Sequence, residues 1–157
     1  MDNNAALLRR YEDDLYVSGT GVLIMGLWGV IKAVLLSFSE YKDLYHVETG
    51  DPKNDLFVTV FTVIFMAVIL ILILWFHAYV GLNAMRAAKG KKYKKGYYTG
   101  AIILLILLVS TFYSYVEMFK DLVKIDTNIA SVLVDLTTVY VLVMVIVSSN
   151  RIKKLKL

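Results

Sequence analysis

Four runs of predominantly apolar residues, at 18–39, 56–85, 98–119 and 129–149, divide the chain, with short charged segments between them. Each run approaches or exceeds the ~20 residues with which a helix crosses about 30 Å of hydrocarbon at about 1.5 Å per residue. The pattern predicts an all-α polytopic integral membrane protein with four transmembrane helices in a bundle. A lead at 1–17, loops at 40–55, 86–97 and 120–128, and a tail at 150–157 complete a single membrane domain over 1–157. The lone proline, Pro52, lies in "TGDPKND", a turn signal outside every apolar run, so none of the four helices is broken by proline.

The lead is patterned too. In "NNAALLRRYEDDLY" the residues Leu7, Leu8, Tyr11 and Leu15 recur at helical spacing among charges. Two structures fit that spacing: an interfacial helix entering the first span, or a cytoplasmic extension of the span itself. Arg9, Arg10, Glu12, Asp13 and Asp14 mix signs, and no small-residue cleavage site follows the first apolar run, so the run reads as a retained helix and not as a signal peptide.

Composition agrees with the pattern. Apolar residues are 59% of the chain, charged residues 19%, and the mean hydropathy is +0.66. Soluble domains lie nearer one-half apolar and one-quarter charged. The basic residues decide orientation, because positive charge in short loops is retained in the cytoplasm. Arg9 and Arg10, then Arg86, Lys89, Lys91, Lys92, Lys94 and Lys95, then Arg151, Lys153, Lys154 and Lys156 fall on one side, and only Lys42, Lys53, Lys120 and Lys124 on the other. Both termini and the 86–97 loop are therefore expected to be cytoplasmic (N-in/C-in), in a plasma (cytoplasmic) membrane. Trp75, Phe76, Tyr79, Tyr97 and Tyr98 suit the cytoplasmic interface, where amphipathic rings sit at headgroup depth.

Three charges remain inside the spans. Lys32 lies six residues before Phe38, about 9 Å along a helix, and Asp135 lies seven residues after Asn128, about 10 Å. Glu117 is close to the outer end of the third run. Counting depth from the outer boundary brings Lys32, Asp135 and Glu117 to the outer part of the bilayer, with Thr59 and Thr62 at comparable depth. Ser110 and Ser114 share a helical face with Glu117, as Ser131 and Thr138 do with Asp135, which gives two polar stripes suited to facing other helices. One role for the three charges is a buried Lys32–Asp135 pair that locks helix register. Another is an ion or proton site, since two carboxylates against one ammonium leave a surplus negative charge. In a third, Glu117 is interfacial and simply solvated. On the first span Gly19, Gly26 and Ala33 recur every seven residues with Gly29 on the same side, a small-residue seam for close helix packing.

Little in the sequence points to catalysis. The chain has no cysteine, which excludes disulfides, thiolate nucleophiles and Cys-based metal sites. HExxH, GxSxG and Walker motifs are absent, His46 and His77 lie too far apart in depth to share a metal, and no cofactor is implied. The expectation is a protein that is not an enzyme. The run "KGKKYKKGYY" holds its loop inside and offers Lys89, Lys91, Lys92, Lys94 and Lys95 to anionic headgroups, at about 1 kcal/mol per basic residue near the surface. A short loop tethered to the bilayer is a poor nucleic-acid ligand. Three functions fit: an oligomeric channel-like or transporter-like protein, an accessory subunit bound to another membrane protein, and a lipid-binding protein.

Overall fold

The computed structural model of the chain describes residues 3–39, 52–118 and 125–156, with side chains over 4–35, 54–112 and 131–156. These residues form four helices: α1 (Asn3–Ser39), α2 (Pro52–Ala88), α3 (Gly96–Met118) and α4 (Ile125–Leu155). The all-α expectation holds. Three stretches are long and apolar enough to cross a membrane, Asn4–Leu35, Asn54–Ala88 and Ser131–Leu155, and a shorter apolar stretch covers Gly96–Phe112. The backbone of α3 continues to Met118, so its 23 residues reach about 34 Å.

Local chemistry explains the helix ends. Pro52 opens α2 at the position where a missing N–H costs nothing, and Asp55 follows in the first turn at the positive end of the helix dipole. Arg86 closes α2, and Lys153 and Lys154 lie in the last turn of α4, where cations face the unpaired carbonyls. The lead is helical from Asn3 and runs into the first span without a break.

The described chain falls into two compact units, residues 1–25 with 77–157, and residues 26–76. In the first, four helical segments run alternately up and down. Gly19 of α1 meets Gly81 of α2, Gly21 meets Val141 of α4, and Tyr97 at the start of α3 bonds Ser149 near the end of α4. Its core is a stack of small and branched side chains: Leu15 and Val22, Val80 and Ala84, Ala101 and Leu104, Leu142 and Val145. Spacings of three, four and seven residues put each pair on one helical face.

The backbones of α1 and α2 come close in this unit. A Cβ built on Gly81 would lie 2.6 Å from the Gly19 carbonyl oxygen and 2.8 Å from Leu23 Cγ. Only glycine lets the two backbones meet there, the arrangement by which small residues hold helices together in lipid.

The second unit holds the remainder of α1 and α2. Among its described side chains only Gly26 is buried, and Phe57, Phe61 and Phe65 stack along α2 with ring centroids 6.5 and 6.3 Å apart. The most apolar window of α2 has mean hydropathy 3.2 and none of it is buried inside the protein. Phe57 is 71% exposed and Trp75 65% exposed. A stretch this apolar, with none of its window buried by the described residues, is suited to hydrocarbon as its solvent.

Candidate functional site

The packed end of the first unit is also its basic end, and it is built from the connection between α2 and α3. Gly90 ends α2 with φ +63°, the left-handed cap that glycine adopts without strain. The Gly90 N–H donates to the Ala87 carbonyl at 3.1 Å and the Lys91 N–H to the Arg86 carbonyl at 2.9 Å, the paired bonds of a Schellman motif. Asn83, 5% exposed, then ties the loop down. Its amide donates to the Tyr79 carbonyl at 2.7 Å while its Oδ1 accepts from the Lys94 N–H at 2.9 Å. Tyr97 and Tyr98 donate their backbone N–H groups to the carbonyls of Lys94 and Lys95 and start α3. The basic run is thus an ordered corner held at both ends.

The two tyrosines that follow fasten α3 to α4. The Tyr97 hydroxyl lies 2.9 Å from Ser149 Oγ. Ser149 commits its single proton to the Val145 carbonyl at 2.6 Å, so Tyr97 is the donor of the pair. One residue along, the Asn150 amide donates to the Tyr98 hydroxyl at 3.0 Å, and the Tyr98 proton stays uncommitted among the described residues. Tyr93 packs edge-on against Tyr97 at 5.7 Å. Lys89 places its ammonium 4.2 Å over the Tyr16 ring, and Lys156 reaches Glu12 at 2.8 Å, joining the end of α4 to the lead of α1.

Between these groups lies a cleft of about 640 Å³, a volume usual for a ligand site. Its polar wall is Tyr93, Tyr97, Tyr98, Ser149 and Asn150, its apolar wall Leu15, Ala87 and Ile152, and Lys95, Lys153 and Lys156 stand around it. Among the described residues no lining side chain is a carboxylate, and Glu12 pairs with the lining Lys156 at 2.8 Å. Lys95 and Lys153 carry no ion pair among the described residues. The cleft's lining side chains carry more hydrogen-bond donors than acceptors, and its charged groups are ammoniums.

The residues singled out from sequence are distributed as follows. Lys32 is half-buried in the second unit and Asp135 half-buried in the first, and neither is without a partner. The side chains of Glu117 and Ser114, and the whole of His46, lie outside the described residues. Thr59 and Thr62 are half-buried on α2, and Ser131 on α4. Ser110 is exposed and donates to the Leu107 carbonyl of its own helix, whereas Thr138 is buried and donates to the Val134 carbonyl. Along the seam Gly19 and Gly26 are buried and Ala33 is half-buried, but Gly29 is exposed with nothing within 4 Å of a built Cβ. Lys89, Lys91, Lys92, Lys94 and Lys95 are all exposed. No group of three metal-ligating side chains occurs among the described residues.

Several residues of this end are not visible as candidates in the sequence. Asn83 is a lone amide on the apolar face Val80–Ala84–Ala87, a signal that could have drawn attention. Gly81 mirrors Gly19 across the hairpin, and Ser149 and Asn150 stand 52 residues from their tyrosine partners. Ser148, next to Ser149, is fully buried with no hydrogen-bond partner for its hydroxyl among the described residues.

Fold and site together define a helical integral membrane protein whose best-packed end carries a basic, tyrosine-lined cleft. Comparison with known proteins narrows the class no further: no family model matches the chain, and neither a curated protein nor a solved structure is similar to it.

Proposed function

We propose that this is a non-catalytic membrane protein of the cytoplasmic membrane, with both termini and the 86–97 loop inside, that binds anionic lipid headgroups at its basic end. The observation that carries this is the cleft. It has ammonium groups and hydroxyls around it, no carboxylate in its lining, and an apolar wall of Leu15, Ala87 and Ile152 on which the glycerol region of a lipid can rest. The surrounding charge supports it: each exposed lysine of the loop adds about 1 kcal/mol of attraction to an anionic leaflet.

The test is lipid retention. The purified protein is placed in nanodiscs of phosphatidylcholine mixed with phosphatidylglycerol, and bound lipid is counted after delipidation. Anionic lipid is expected to be enriched over its bulk fraction, less so in high salt, because headgroup attraction is screened within a Debye length. Bound lipid with the bulk composition at every salt concentration contradicts the proposal.

A further inference from the structure

We propose that the cleft is selective for a phosphomonoester headgroup, the terminal phosphate of a phosphatidic-acid-type lipid, over phosphodiester headgroups of the same leaflet. This deepens the anionic-lipid role proposed above and rests on it.

The argument is a count of committed and uncommitted donors. Lys156 is engaged by Glu12, and the Tyr97 proton by Ser149. Lys95, Lys153 and the Tyr98 hydroxyl keep their donors uncommitted and border the same cleft. Asn150 holds the Tyr98 oxygen as an acceptor, which leaves the phenolic proton as that hydroxyl's remaining hydrogen-bonding capacity. Two ammonium groups and one phenol match a group with about −1.5 to −2 charges and three terminal oxygens, which a phosphomonoester presents near neutral pH. A phosphodiester offers one charge and two such oxygens, so it balances one of the two ammonium groups where a phosphomonoester balances nearly both. A choline or ethanolamine headgroup adds a cation to a site lined by lysines and lacking a carboxylate. The loop lysines attract any anion; the three cleft groups distinguish among anions.

The full-length protein is exchanged into phosphatidylcholine nanodiscs carrying phosphatidic acid and phosphatidylglycerol at equal mole fraction, and retained lipids are identified by mass spectrometry. Phosphatidic acid is expected to be retained roughly tenfold over phosphatidylglycerol, the worth of one charge-assisted hydrogen bond. Tyr98→Phe and Lys153→Gln should each remove most of that preference, with Tyr98→Phe keeping the methylene and ring packing that support folding. Lys92→Gln, outside the cleft, should weaken retention of both lipids alike and leave their ratio standing. Equal retention of the two anionic lipids, unaffected by the cleft variants, overturns the selectivity and leaves the general lipid role in place. Absence of any anionic enrichment overturns both. Preferential retention of phosphatidylcholine makes the tyrosines a cage for choline and overturns the proposal. Competition by inorganic phosphate or glycerol 3-phosphate separates the sources: displacement of the lipid at comparable concentration assigns the cleft to a soluble phosphomonoester and overturns the lipid assignment.

Discussion

Neighbouring serines on α4 are expected to behave in opposite ways. Ser149 accepts the Tyr97 proton and donates its own to Val145, so Ser149→Ala leaves a buried phenol without an acceptor and should cost about 1–3 kcal/mol. Ser148 is buried with no hydrogen-bond partner among the described residues, so Ser148→Ala removes a desolvated hydroxyl and should be neutral or raise stability by up to about 1 kcal/mol. Thermal unfolding of the two variants in one detergent compares them directly, and equal destabilisation would contradict the hydrogen-bond assignment. Such pairs could not be read from the sequence. Tyr97 and Tyr98 have the signature of interfacial aromatics whatever they touch, and their partners lie 52 residues away on another helix.

Helices were the most legible feature, because a run of ~20 apolar residues has few other stable forms in a bilayer. Of the two forms open to the lead, the structure has the extension of the first span, with α1 helical from Asn3, and α4 likewise runs to Leu155, since helical propensity carries charged segments beyond the hydrocarbon. The seam was legible in part. Gly19 packs against α2, yet Gly29 on the same face is open, and two substitutions separate the cases. Gly81→Ala drives a methyl into the Gly19 carbonyl, which cannot yield as a flexible side chain would, and should destabilise by about 1–3 kcal/mol. Gly29→Ala meets nothing and should be neutral or stabilise through the ~1 kcal/mol helix preference of alanine over glycine. At the α2–α3 corner, Gly90→Ala forces a side chain into φ +63° and should cost about 1–2 kcal/mol. Unfolding midpoints rank all three, and a Gly29→Ala loss as large as that of Gly81→Ala would contradict the assigned packing.

The first unit is close-packed and basic at its α2–α3 corner, and the second exposes apolar helix surface suited to hydrocarbon. Positive charge in short loops was visible in the sequence, but that these lysines frame a cleft follows only from the corner that Asn83 and Gly90 build. Everything proposed for that end depends on the side of the membrane it faces. The chain contains no cysteine, so single cysteines can be introduced into an otherwise thiol-free protein. Lys92→Cys in the basic loop and Glu48→Cys in the acidic segment are compared with a membrane-impermeant maleimide, on intact cells and on inside-out vesicles. Cys at 92 should react only in the vesicles and Cys at 48 only in intact cells. Labelling of position 92 from outside intact cells, with position 48 protected, would contradict the inward orientation and remove the cleft from the cytoplasmic leaflet.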